Sequence, residues 1–156
     1  MEASLNTALL HSAPVVIVED SDEDFDTLVE AALRAGVTQT VHRAATGGEC
    51  LLLLRGEAGV CLPTLPALIV MDLNSHGVDG REALLAIKTD LILREIPVVV
   101  LTTSNNPKDV AFCYQAGANA YHVKPVRHDQ YLLLLGSLLH YWLNSVTMHS
   151  ATVKGN

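Results

Sequence analysis

Leu68-Ile69-Val70-Met71-Asp72 is four apolar residues running straight into a carboxylate. An apolar run without polar alternation reads as a strand covered on both faces. In open parallel sheets, ligands bind beyond the carboxyl ends of the strands. The stretch therefore predicts a central buried strand that delivers Asp72 to a reactive edge. Two other runs share its grammar. Pro14 opens Val15-Val16-Ile17-Val18, which ends in Glu19-Asp20, and Pro97 opens Val98-Val99-Val100-Leu101, which ends in Thr102-Thr103-Ser104.

Between these runs the apolar period changes from strand to helix. Ser21 is a helix cap followed by Asp22, Glu23 and Asp24, acids that suit the positive end of a helix dipole. Phe25, Leu28, Val29, Ala32 and Leu33 recur at helical spacing, and Gly36 closes the helix. Thr38 to His42 reads as a short second strand, Thr46-Gly47-Gly48 as a turn, and Glu49 to Leu54 as a second helix. After a loop from Gly56 to Pro66 comes the central strand. A polar loop from Leu73 to Asp79 precedes a third helix from Gly80 to about Lys88. Asn106-Pro107 starts a fourth helix, with Asn as cap and Pro at the first position, ending at Ala116. Asn119 to Val123 is a fifth strand, and a last helix runs from about His128 to Val146. Five β-α units in succession predict an α/β protein with a doubly wound parallel sheet. Residues 1–13 read as a lead-in, 14–146 as one domain and 147–156 as a tail.

The totals agree with one globular domain: 156 residues, 49% hydrophobic, 17% charged. A net charge of −7 without a Lys/Arg cluster argues against nucleic acid. Cys50, Cys61 and Cys113 are odd in number and lack a CxxC pair, so neither a disulfide framework nor a zinc site is expected. The chain start has no positive signal-peptide region, and no apolar run is long enough to span a membrane. The expectation is a soluble cytoplasmic protein.

The strand ends carry the chemistry. They present Glu19 and Asp20, then Asp72, then Thr102, then Lys124, and in a parallel sheet all of these lie on one edge. Clustered carboxylates repel unless a cation is present. A hard divalent ion such as magnesium relieves that repulsion and favours sites that also take phosphate. With the Lys124 ammonium and the Thr102 hydroxyl, the set is suited to hold a phosphoryl group on Asp72. No HExxH, GxSxG, Walker loop or GxGxxG offers another chemistry.

These residues resemble the receiver domain of two-component response regulators over residues 14–146. The match lies in Glu19-Asp20, Asp72, Thr102 and Lys124-Pro125. The resemblance implies a flavodoxin-like sheet of order 2-1-3-4-5 with five helices. It implies Mg2+ bound by Asp20, Asp72 and the backbone carbonyl of Asn74, with Glu19 assisting through water. It implies a cis bond before Pro125, and a switch in which Thr102 moves toward the phosphoryl group while Tyr121 turns inward. Asn74 and Ser104 flank the site. One departure is His76, at a position where receivers usually carry Pro. The runs Asp72-Leu73-Asn74, Asp79-Gly80-Arg81-Glu82, Leu101-Thr102-Thr103-Ser104 and Tyr141-Trp142-Leu143 resemble the small regulators paired with bacterial phytochromes, which implies a phytochrome-type histidine kinase as phosphodonor.

The last helix is crowded with Tyr131, Leu132 to Leu135, Leu138, Leu139, Tyr141, Trp142 and Leu143. A narrow polar face at Gln130, Ser137 and Asn144 suggests burial on two sides, and hence a homodimer through this helix. The expected role is a phosphoacceptor that signals through protein contacts, not an enzyme acting on other substrates. The alternatives are a phosphorelay intermediate that passes the group to a histidine phosphotransfer protein, and a scaffold that is never phosphorylated.

Overall fold

The computed structural model describes residues 13–74 and 80–149. Five strands form one parallel sheet in the order β2-β1-β3-β4-β5. They are β1 (Val15–Val18), β2 (Val41–Ala44), β3 (Leu68–Met71), β4 (Val98–Thr102) and β5 (Ala120–Val123). The helices are α1 (Asp22–Arg34), α2 (Gly47–Leu54), α3 (Gly80–Thr89), α4 (Pro107–Ala116) and α5 (His128–His140). This is the expected doubly wound, flavodoxin-like arrangement.

Strand alternation sorts the apolar side chains into two layers. Val16, Val18, Ile69, Met71, Val98 and Val100 pack toward Leu53 of α2, Leu84 and Ile87 of α3 and Cys113 of α4. Val15, Ile17, Leu68, Val70, Val99 and Leu101 pack toward Leu28 and Ala31 of α1 and Leu135 and Leu139 of α5. β3 is buried along its whole length, so the chain leaves it with Asp72 at the centre of the carboxyl edge.

Three local expectations shift. The second strand starts at Val41, not Thr38, because Val37 belongs to the end of α1. Its N–H donates to the Ala32 carbonyl and that of Gly36 to the Leu33 carbonyl, with Gly36 at φ 72°. The second helix starts at Gly47, because Thr46 is its cap. The Thr46 hydroxyl accepts from the Glu49 N–H, and the Glu49 carboxylate accepts from the Ala45 N–H at 2.7 Å. The bond before Pro125 is not cis, since no described peptide bond is. The trans form is favoured by about 0.5–1 kcal/mol even before proline, and the Lys124 N–H continues the ladder to the Thr102 carbonyl at 2.7 Å. After His140 the last helix widens into a π turn over Tyr141–Ser145. His76 and Asp79 lie outside the described residues.

Gly80 fixes how closely α3 approaches the site. A Cβ there would lie 2.7 Å from the Asp72 carbonyl oxygen and 2.8 Å from the Leu73 Cα. Both obstacles are backbone, so relief requires moving the chain that follows Asp72. Gly80→Ala is expected to cost about 1–3 kcal/mol of stability, the usual range for overpacking, measured as a lower urea midpoint at unchanged m-value.

Candidate functional site

Each strand end contributes as its position dictates. The Asp72 N–H donates to the Val18 carbonyl and the Glu19 N–H to the Ala44 carbonyl. These bonds place the acids of β1 and β3 side by side. Carboxylate oxygens of Glu19, Asp20 and Asp72 lie within 4.8 Å of one another. Such a set of hard oxygen donors can hold a divalent cation. Glu19 and Asp72 are buried, and Asp20 is partly exposed.

Lys124 enters from the end of β5 and is buried too. Its Nζ donates to Glu19 Oε2 at 2.7 Å, to Asp24 Oδ2 at 2.9 Å and to Asp72 Oδ2 at 3.2 Å. Burial works against its charge. The carboxylates of Asp24 and Glu19, and then Asp72, outweigh that cost and hold its pKa above the ordinary lysine range. Burial pushes the Glu19 carboxyl up to about 7, against the pull of Lys124 and with added repulsion from Asp72. The charge of Lys124 is the direction that the three contacts support. Glu19 is the acid that most needs further positive charge.

Thr102 is fully buried at the end of β4. Its Oγ1 accepts from Asn74 Nδ2 at 3.0 Å and from the Ser104 N–H at 3.4 Å. The Asn74 N–H donates to Asp72 Oδ1 at 3.1 Å, so Asn74 ties Asp72 to Thr102. Tyr121 stands half-buried on β5, and its hydroxyl donates to the Ser104 carbonyl at 2.7 Å. Ser104 Oγ donates to Asp109 Oδ2 at 2.5 Å, and Arg81 Nη2 donates to Asp109 Oδ1 at 2.6 Å.

The structure thus brings Glu19, Asp20, Asp72 and Lys124 together, with Thr102 linked to Asp72 through Asn74. Sequence reasoning missed three members. Asp24 looked like a helix-dipole acid, yet its side chain holds Lys124. Its place one helical turn beyond Asp20 was the available signal. Arg43 donates to the Glu19 carbonyl at 3.0 Å and to Asp22 at 2.7 Å, and stacks over the Phe25 ring. It thereby pins the loop between β1 and α1. Asp109 bridges α3 and the loop after β4, and nothing in its local sequence announced that.

The residues from 15 to 135 match the response regulator receiver domain. The chain belongs to this family. It is 31% identical over 137 residues to the response regulator Rcp1 of Synechocystis sp., covering 88% of this chain and 93% of the relative. It is 33% identical over 129 residues to the probable methanogenesis regulatory protein FilR2 of Methanothrix harundinacea, with 83% of each chain covered. Among solved structures, the phosphorylated cyanobacterial phytochrome response regulator RcpA superposes with a TM-score of 0.83 at 34% identity, over 89% of this chain and 99% of that one. A Mn2+-bound form of Rcp1 superposes with a TM-score of 0.82. The chain is therefore a receiver-type response regulator related to phytochrome regulators. Among the described residues no helix is long and apolar enough to cross a membrane.

The Ser104 hydroxyl, and then the Arg81 guanidinium, hold the Asp109 carboxyl below the usual aspartate range. A carboxyl depressed in the folded state stabilises above its unfolded pKa, and that contribution is lost as pH falls through the folded value. Asp109→Asn should therefore lower the thermal midpoint at pH 7. The gap from wild type should close as pH falls from about 4 toward the depressed folded value.

Proposed function

We propose that Asp72 accepts a phosphoryl group from a histidine kinase with Mg2+ at the acidic cluster, and that protein contacts read the result. The observation that carries this is the convergence of three carboxylates within 4.8 Å on a buried acid that also meets an ammonium group at 3.2 Å. An Asp72 carboxylate oxygen attacks phosphorus in line with the bond to the donor histidine. The new O–P bond forms as the N–P bond breaks, and the imidazole leaves with the electron pair and takes a proton. Carboxylate attack on a dianion is slow unless negative charge is neutralised, so positioning and electrostatics dominate. Lys124 supplies one fixed positive charge. Mg2+ held by Glu19, Asp20, Asp72 and the Asn74 carbonyl would supply the rest. Thr102 offers a hydroxyl donor to the new phosphoryl oxygens. Its movement would be felt at Tyr121 through Ser104.

The likeness to Rcp1 and RcpA supports a phytochrome-type kinase as donor, in a cytoplasmic two-component system. Incubation with acetyl phosphate and Mg2+ should add one phosphoryl group by intact mass. Asp72→Asn and chelation should each abolish it. An unmodified wild type would sink this reading.

A homodimer through α5 and its adjoining surface is part of the proposal. Most of the leucines on α5 are spent on α1 and the sheet. Leu133 and Tyr141 remain 72% and 55% exposed. Leu133 also lines a groove of about 660 Å³ between α1 and α5, with Ala31, Ala35, Leu132 and Gly136. Sedimentation should show a dimer at micromolar concentration that Leu133→Glu dissociates. A monomer throughout, phosphorylated or not, would rule out that interface.

A further inference from the structure

Lys124 has three N–H donors, and all three are taken, by Glu19, Asp24 and Asp72. The contact with the acceptor Asp72 is the longest. A phosphoryl group on Asp72 adds anionic oxygens without removing the carboxylate contact. Four claims then fall on three donors, and one existing contact has to yield. Glu19 is buried, and leaving its charge unpaired costs most. The Asp24 side chain is 35% exposed, so water can take up part of what Lys124 gives away. Asp24 also stands apart from the carboxylates that can hold a metal. It is therefore the contact that yields.

A second, independent feature lies on α5. Among the described residues, the hydroxyl of Tyr131 is the buried side-chain polar atom without a hydrogen-bond partner. Tyr131 itself is 6% exposed. A buried hydroxyl left unpaired is unfavourable. This one lies in the field of Lys124 first, then of Asp24, Glu19 and Asp72. A phenol is a good donor to a carboxylate that has just lost an ammonium partner.

We propose that Asp24 is a positioning residue for phosphoryl transfer: it is the resting seat of Lys124, vacated when Asp72 is phosphorylated, and the Tyr131 hydroxyl then becomes its partner. The inference rests on Asp72 being the phosphoacceptor. It makes Asp24 a competitor of the phosphoryl group for one cation. It also makes the start of α1 and the start of α5 respond to the state of Asp72.

Asp24→Asn keeps shape and polarity but removes the competing charge. With acetyl phosphate and saturating Mg2+ the phosphorylation rate should rise roughly fivefold, the difference between a charged and a neutral hydrogen-bond partner. Asp24→Glu should return it toward the wild-type rate. Mg2+ affinity by calorimetry should stay within about tenfold of wild type, since only through-space charge is lost. An unchanged or slower rate overturns the proposal, and so does a larger loss of Mg2+ affinity, which would make Asp24 a metal ligand. Tyr131→Phe should raise the thermal midpoint of the unmodified protein and shorten the lifetime of the phosphorylated form. An unaltered lifetime overturns the part given to Tyr131.

The wild-type protein provides a test that needs no variant to fold. A crystal structure with Mg2+ and beryllofluoride on Asp72 should show Lys124 Nζ more than about 4 Å from Asp24, beyond ion-pair range, and Tyr131 bonded to Asp24. A Lys124 that keeps its 2.9 Å contact overturns the proposal. A wild type that takes up neither phosphoryl nor beryllofluoride overturns the reading of Asp72 instead.

Discussion

One ammonium group sits among the carboxylates of Glu19, Asp24 and Asp72, and the site depends on that arrangement. Two of these acids are buried, and without positive charge they could not stay ionised beside each other. Lys124 meets that need only in part, because burial still lifts the Glu19 carboxyl well above its ordinary value. The remaining deficit of positive charge is the physical invitation to a divalent ion. It is also the reason that a phosphoryl group, which brings more negative charge, changes every contact around it.

The sheet holds that deficit in place. Hydrogen bonds from Asp72 to β1 and from Lys124 to β4 fix both ends of the cluster in backbone, and Gly80 lets α3 close over the chain that leaves Asp72. Arg43 anchors the loop that carries Glu19. A rearrangement of charge therefore cannot relax by moving strands, and it has to pass into side chains and loops. Asn74, Thr102, Ser104, Asp109 and Arg81 form one continuous hydrogen-bonded path from the acceptor to α3 and α4, joined by Tyr121 at Ser104. That path is a contiguous physical route toward a surface where a partner can read the site.

Much of the fold was legible because the sheet is buried on both faces. Unbroken runs such as Val15–Val18 and Val98–Leu101 leave little choice but central parallel strands. The errors fell where short-range backbone chemistry decides boundaries. Val37 looked like the start of a strand but closes α1, and Thr46 looked like a turn residue but caps α2. Trans geometry at Pro125 also departs from the resemblance.

The sequence alone determined which residues stand at the strand ends: Glu19, Asp20, Asp72, Thr102 and Lys124. Strand period and connection rules are local, and they put strand termini on one edge whatever else the chain does. Only the tertiary structure decided that Asp24 shares Lys124 with Asp72, that Asp109 anchors the loop after Thr102, and that the Tyr131 hydroxyl is buried without a partner. Those facts depend on where helices rotate and how far side chains reach across a gap of 100 residues in the chain. A helical acid near a dipole and a helical acid holding a distant lysine read alike until the helix is docked.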